Sequence, residues 1–126
     1  MSDEDKLPSV KTVLIVEDDQ DIGSFILRAI LYETSYQAIH VTDGYQALET
    51  VNTVIPNLLL VDYHLPRMNG IELFDRLHTR KELEHVPVIM ISARLPKEEA
   101  RKRKITCLEK PFELDILLKT IDNLIE

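Results

Sequence analysis

The segment Leu58–Gly70 reads LLLVDYHLPRMNG and decides the fold. Its first four residues are apolar without alternation, which is typical of a strand buried on both faces of a parallel sheet covered by helices. The run ends at Asp62. A helix cap explains this acid poorly, because residues 65–70 intervene before the next helical period begins. Asp62 therefore marks a candidate functional position at the carboxyl end of a strand.

Similar apolar runs flank this segment on both sides. They are Val13–Val16, Tyr36–Val41, Val86–Ile91 and, more weakly, Ile105–Leu108. Between the runs, apolar residues recur every three or four positions and predict helices. The predicted helical faces are Ile22, Phe25, Ile26, Ala29 and Ile30; Ala47, Leu48 and Val51; Ile71, Phe74 and Leu77; and Leu114, Leu117, Leu118, Ile121, Leu124 and Ile125. The remaining interval, Pro96–Arg103, offers only Ala100 and is the least regular.

Five strands that are each followed by a helix predict an α/β fold, a doubly wound five-stranded parallel sheet with flanking helices. In such folds, ligands bind beyond the carboxyl ends of the strands. We expect a loose polar tail over residues 1–10 and one domain over residues 11–126. The last helical period reaches nearly to the final residue, which favours a complete chain.

The composition is that of an ordinary folded domain, with 126 residues, 44% apolar and 29% charged. A single cysteine, Cys107, excludes an internal disulfide, and no apolar run is long enough for a membrane span. The acidic start is unlike a secretory signal, so a cytoplasmic protein is expected. The net charge of −7 argues against nucleic acid or an anionic membrane as partner.

Polar residues follow most of the predicted strands at the end where ligands are expected. They are Glu17, Asp18 and Asp19 after the first strand, Asp62 after the third, Ser92 after the fourth and Lys110 after the fifth. Clustered carboxylates repel each other, and a hard divalent cation such as Mg²⁺ relieves that repulsion. A carboxylate nucleophile beside a cation, a lysine and a hydroxyl suits phosphoryl transfer through an aspartyl phosphate. Helix capping is the competing explanation for part of the cluster, through Asp19 or Asp21.

Four ordered motifs now identify a resemblance to the receiver domain of two-component response regulators. They are VLIVEDD at residues 13–19, LLVDYHLPRMNG at 59–70, PVIMISAR at 87–94 and KPF at 110–112. The resemblance covers residues 11–126, essentially the whole chain. It implies a flavodoxin-like fold and a stand-alone signalling domain that acts on no substrate except its own phosphoryl group.

The resemblance also implies a role for each residue of the cluster. Asp62 is the implied phosphoacceptor, and Ser92 and Lys110 engage the phosphoryl group. Mg²⁺ is held by Asp18 directly, by Glu17 through water, by Asp62 and by the backbone carbonyl of His64. The Lys110–Pro111 bond is implied to be cis. The implied phosphodonor is a histidine kinase or a histidine phosphotransfer protein, and output is through protein–protein contacts.

The chain departs from the family pattern between Ser92 and Lys110. Cys107 stands at the place of the aromatic switch residue, Arg103 and Lys104 stand at the place of a Gly-Ala pair, and the interval is shorter than usual. We therefore expect a short or irregular fourth helix whose shift, rather than a ring rotation, reports phosphorylation.

The segment Arg94–Lys104 carries six basic and two acidic residues. It is either a solvated face or a docking surface, in which Arg101–Lys104 meet an acidic partner or Glu113 and Asp115 of a second copy. The face of the fourth helix, fifth strand and fifth helix is thus the candidate surface for a homodimer.

Other functions remain as alternatives. A degenerate receiver would serve only as a docking module. A magnesium-dependent phosphohydrolase with an aspartyl nucleophile would need an acid where His64 stands. The acids after the first strand would repel a bound nucleotide, and His40, His78 and His85 lack zinc-ligand spacing. The His64 side chain either lies over the crevice or modulates hydrolysis, and Cys107 is expected to be a buried apolar filler.

Overall fold

The structure is a computed structural model that describes residues 10–125. The predicted tail lies outside the described residues except for Val10, so its boundary with the domain stays a prediction. The strands are β1 (Thr12–Val16), β2 (Gln37–Val41), β3 (Leu58–Asp62), β4 (Val88–Ser92) and β5 (Thr106–Glu109). The helices are α1 (Gln20–Glu33), α2 (Gly44–Thr50), α3 (Gly70–Leu77), α4 (Lys97–Lys102) and α5 (Leu114–Leu124). Among the helices of this range, none is both long and apolar enough to cross a membrane.

All five strands are parallel and lie in the order β2-β1-β3-β4-β5. The predicted doubly wound sheet is therefore confirmed. The strand order reverses direction at β1, and Val16 of β1 lies beside Val61 of β3. Glu17 and Asp62, which follow these two valines, are consequently brought to the same edge of the sheet, where such folds bind their ligands.

The core consists of two apolar layers, one on each face of the sheet. Alternate strand residues enter opposite layers, so that Leu59 packs into one and Leu60 into the other. Both leucines are fully buried, and each contributes about 2 kcal/mol relative to an exposed side chain. Burial on both faces explains why the three central strands, β1, β3 and β4, contain unbroken apolar runs.

Helix α1 begins where the capping argument predicts. Asp19 is its N-cap and accepts a hydrogen bond from the backbone N–H of Ile22 at 3.0 Å. Two residues of the predicted apolar face, Ile22 and Phe25, are not covered by the core, since Phe25 is 58% exposed and Ile22 is also exposed. The first turns of α1 stand opposite the loop after β5, where both side chains line an open groove with Pro111 and Phe112.

Helix α4 has six residues, as the irregular interval predicts, and buries Ala100. It ends at Lys102 with Arg103 as its C-cap, and Lys104 then adopts a left-handed conformation with φ 58°. Acidic neighbours neutralise part of the basic stretch. Arg101 pairs with Glu98 and Lys102 with Glu99 inside the helix.

Arg103, predicted to be exposed, lies with its side chain 23% exposed between two acids. Its Nε and Nη2 donate to the two carboxylate oxygens of Asp75 in α3 at 2.7 and 2.9 Å, and its Nη1 donates to Glu99 at 2.9 Å. The fork of a guanidinium matches a carboxylate in this geometry, which is why Arg103 turns inward. We call this contact between Arg103 and Asp75 the α3–α4 clamp.

Candidate functional site

Three carboxylates meet at the carboxyl ends of β1 and β3. One oxygen each from Glu17, Asp18 and Asp62 lies within 4.8 Å of the others. Glu17 is 1% exposed and Asp62 4% exposed, whereas Asp18 is open to solvent. We call this region the acidic cleft, and it brings together the three acids that the sequence predicts there.

Lys110 enters the acidic cleft from the loop after β5. Its Nζ donates to Asp62 Oδ2 at 2.8 Å and to Glu17 Oε1 at 3.2 Å. Its Lys110–Pro111 peptide bond is cis, as expected. Burial lowers the pKa of Lys110, but the hydrogen bond and the negative charges of Asp62 and Glu17 outweigh burial and raise it above its usual value. Lys110 thus remains charged and offsets part of the carboxylate repulsion.

The carboxylate of Glu17 and both of its backbone polar groups have hydrogen-bond partners. Its Oε2 accepts a hydrogen bond from the backbone N–H of Asp19, and its own N–H donates to the carbonyl of Val41 in β2. Its carbonyl lies 2.8 Å from Nε2 of His40. Burial, followed by the charge of Asp62, raises the pKa of the Glu17 carboxyl to about 7.

Backbone hydrogen bonds hold the loop after Asp62 against the acidic cleft. Asp62 Oδ1 accepts a hydrogen bond from the backbone N–H of His64 at 2.9 Å. Gly70, the first residue of α3, donates its N–H to the carbonyl of Tyr63. A Cβ at Gly70 would lie 2.9 Å from the carbonyl oxygen of Asp62, so only glycine permits this approach. The oxygen Oδ1 is thereby held toward the loop, while Oδ2 faces Lys110.

Two predicted site residues have other partners. The buried Ser92 hydroxyl donates to the carbonyl of Arg94 and accepts from its N–H, at 3.0 and 3.1 Å. It lies on the strand next to Asp62 but is turned into the loop after β4. The His64 side chain is exposed and packs edge-on against Tyr63. That the His64 carbonyl binds a metal stays a prediction.

Cys107 lies half-buried against the core, which supports its interpretation as an apolar filler. Burial raises the pKa of its thiol, which lowers the thiolate fraction at neutral pH.

His40 is a neighbour of the site that the sequence pattern did not reveal, because its contact is with a backbone atom and has no characteristic spacing. The available signal is Gly23, a glycine near the start of α1. A Cβ there would lie 2.1 Å from His40 Nε2, so the ring occupies the space of a missing side chain.

The family model of the response regulator receiver domain matches residues 13–122, which include every residue of the acidic cleft. The chain belongs to the response regulator receiver family. This receiver domain is therefore a signalling module of two-component systems, and the predicted family, fold and signalling function are confirmed.

Relatives of this receiver domain occur in two settings. The polar-differentiation response regulator DivK of Brucella ovis is 32% identical over 117 residues, which are 90% of this chain and 94% of DivK. The sensor histidine kinase TmoS of Ectopseudomonas mendocina is 35% identical over 118 residues, which are 90% of this chain but only 12% of TmoS. Such a domain therefore forms nearly all of one relative and a small part of the other.

Among solved structures, the chemotaxis response regulator CheY4 of Vibrio cholerae has the same fold. It superposes with a TM-score of 0.85 at 22% identity, over 93% of this chain and 100% of CheY4. Fold similarity at this low identity supports the five-stranded receiver architecture alone.

Proposed function

We propose that this receiver domain accepts a phosphoryl group on Asp62 from a phosphohistidine and later loses it to water. The observation that carries the proposal is the contact between Asp62 Oδ2 and the ammonium of Lys110 at 2.8 Å, inside a cleft that holds two further acids. A carboxylate so placed is a nucleophile with positive charge beside the position that an incoming phosphoryl group occupies.

In the transfer step, an Asp62 oxygen forms a bond to phosphorus while the bond from phosphorus to the donor's imidazole nitrogen breaks. The imidazole, protonated on its other nitrogen, leaves as a neutral ring with the electron pair of that bond. In the second half of the cycle, water attacks phosphorus and the bond from phosphorus to the Asp62 oxygen breaks. Its electron pair returns to the Asp62 carboxylate, and inorganic phosphate leaves with the protons of the water. Lys110 balances the charge of the phosphoryl oxygens in both steps.

Glu17, Asp18 and Asp62 fit a hard divalent cation, because their oxygens are close together and of the type that Mg²⁺ prefers. We propose that these three acids and the His64 carbonyl hold Mg²⁺. When bound, Mg²⁺ stabilises negative charge on the transferring group.

The partner side of the proposal is a histidine kinase or a histidine phosphotransfer protein. The open groove lined by Ile22, Phe25, Pro111 and Phe112 supports this choice, because Lys110 also lines it and so joins it to the acidic cleft. A phosphodonor that covers this apolar groove brings its phosphohistidine to Asp62. We propose this groove as the donor surface.

The output side of the proposal concerns the loop after β4. Ser92 must exchange its Arg94 partner to reach a phosphoryl group, and that exchange displaces the loop leading into α4. We therefore expect beryllium fluoride, a phosphoryl mimic, to change amide hydrogen exchange between Ala93 and Glu109. Unchanged protection there, with changes elsewhere, would remove α4 from the output while leaving Asp62 as phosphoacceptor.

The decisive experiment for the proposed function is intact mass spectrometry after incubation with Mg²⁺ and a small-molecule phosphodonor such as acetyl phosphate. The parent chain should gain one phosphoryl group, and Asp62→Asn should gain none. Asp75→Asn, a carboxylate outside the acidic cleft, is the matched control and should be labelled like the parent. An unlabelled parent would favour the docking module, and a labelled Asp62→Asn would move the phosphoacceptor elsewhere.

A further inference from the structure

His40 contacts the backbone of the acidic cleft without entering it. It lies half-buried in β2, and its Nε2 is 2.8 Å from the carbonyl oxygen of Glu17. A carbonyl only accepts hydrogen bonds, so Nε2 carries the proton and donates. We propose that His40 is a positioning residue, which fixes the peptide group between Glu17 and Asp18 and thereby aims the Asp18 carboxylate at Mg²⁺. This inference rests on the proposed magnesium site.

The Glu17 carbonyl needs this donor because the strand ladder ends there. The N–H of Glu17 makes the last bond to β2, to Val41. The register of the ladder would bring the Asp43 N–H to the Glu17 carbonyl next, but within the described residues no backbone N–H donates to that carbonyl. Glu17 is almost fully buried, and a buried carbonyl without a partner is costly. The His40 imidazole supplies the hydrogen bond that the strand ladder no longer provides.

Asp18 depends on this peptide group more than Glu17 does. The Glu17 carboxylate is fixed by its own contacts with Asp19 and Lys110. Asp18 is exposed at the bend after β1, and its carboxylate makes no hydrogen bond within residues 10–125. The backbone sets the point from which this carboxylate reaches into the cleft, and the carbonyl that precedes Asp18 in that backbone is the one that His40 holds.

Gly23 makes the arrangement possible. A Cβ at this position of α1 would lie 2.1 to 2.6 Å from three atoms of the His40 ring, far inside contact distance. Glycine is less favourable than alanine inside a helix, so its place here is explained by the ring that fills the space. His40 and Gly23 thus act as a pair.

The test compares Mg²⁺ affinity, measured by isothermal titration calorimetry, in His40→Leu and His40→Gln. His40→Leu should bind Mg²⁺ about tenfold more weakly, as is typical when the partner of a ligand-bearing group is removed. His40→Gln should restore the affinity, because its side-chain amide donates from a similar reach. In the metal-free protein, the ¹⁵N resonance of the Asp18 amide should move in His40→Leu and return toward the parent position in His40→Gln.

Two controls separate positioning from folding. His78→Leu removes another half-buried imidazole that lies against a backbone carbonyl, that of Phe74, away from the cleft, and should leave Mg²⁺ affinity unchanged. Gly23→Ala displaces the His40 ring without altering it. As a single variant it should weaken Mg²⁺ binding, and in the His40→Leu background it should cause no further loss of Mg²⁺ affinity.

The inference is overturned if His40→Leu binds Mg²⁺ like the parent, or if Gln fails to restore both affinity and the Asp18 resonance. The Asp18→Ala variant distinguishes this from failure of the proposed site. If Asp18→Ala loses Mg²⁺ while His40→Leu keeps it, only the role of His40 falls. If the parent binds no Mg²⁺, the magnesium site falls with it.

Discussion

The acidic cleft and the segment from α4 to β5 follow the family pattern to different degrees. In the cleft, Asp62, Lys110 and the acidic pair are all present and in contact. In the segment from α4 to β5, Cys107 stands where the family resemblance implies an aromatic residue, and Arg103 joins α4 to α3. The strand ends therefore keep the charged residues of the proposed chemistry together, while the segment from α4 to β5 has its own set of contacts.

The largest effect is expected in the cleft, from Lys110→Met. Removing the ammonium leaves two buried carboxylates without their cation and takes away charge stabilisation of the phosphoryl group. The rate of labelling by acetyl phosphate should fall by about 100-fold. Lys119→Met, an exposed lysine on α5, is the matched control. Equal labelling rates in both variants would mean that Lys110 has no part in the chemistry.

Next in size is the loss of metal-linked stability in Asp18→Ala. Mg²⁺ at ten times its dissociation constant should stabilise the parent by about 1.4 kcal/mol through preferential binding to the native state. Asp18→Ala should lose most of that gain, measured as the shift in melting temperature on adding Mg²⁺. Glu98→Ala, which removes an exposed acid from α4, should keep it. A parent without any shift would argue against the metal site.

A substitution in the proposed donor surface should affect protein phosphodonors and small-molecule phosphodonors differently. Phe25→Ala removes an exposed ring from the groove, so transfer from a cognate phosphohistidine protein should slow by about tenfold, in the range of a well-packed interface residue. Labelling by acetyl phosphate, which needs no docking surface, should not change. Tyr32→Ala, an exposed aromatic residue further along α1, tests whether the loss is local. Slower labelling by both donors would place Phe25 in the fold rather than at an interface.

The smallest effect is expected from the α3–α4 clamp. Arg103→Met should lower the free energy of unfolding by about 1 kcal/mol, because a bidentate pair at the surface is partly screened by solvent. Labelling of Asp62 should be unaffected. Arg101→Met, whose pair with Glu98 is exposed, should cost less. A large loss of labelling in Arg103→Met would contradict the view that the α3–α4 clamp and the acidic cleft act independently.

The clamp also predicts a pH dependence. The hydrogen bond from Arg103 lowers the pKa of Asp75 below its ordinary 3.8. A lowered pKa in the folded state means that the contribution is present above the ordinary value and is lost as the pH falls through the folded one. The difference in stability between the parent and Arg103→Met should therefore shrink as the pH falls below about 4. A difference that stays constant as the pH falls further below that value would contradict the ion pair.

The strands and the cleft were predictable from sequence because both follow from local signals. Unbroken apolar runs report burial on both faces, and the residue after each run reaches the ligand edge of a parallel sheet. The exposure of Phe25 was not predictable, since helical periodicity gives an apolar face but not what covers it. The clamp escaped prediction because Arg103 and Asp75 lie 28 residues apart. The Ser92 hydroxyl is turned toward the backbone of Arg94 by the conformation of the loop after β4, and hydrophobic periodicity does not predict loop conformations.

Locating the phosphoryl group chemically tests most directly whether Asp62 is the phosphoacceptor. The parent chain is incubated with acetyl phosphate and Mg²⁺, treated with borohydride, which reduces an acyl phosphate to an alcohol, and then digested for peptide mass spectrometry. We expect homoserine at position 62 and unmodified Glu17, Asp18 and Asp19. Reduction at any of these three acids with Asp62 intact, or none in a chain that remains folded, would contradict this assignment.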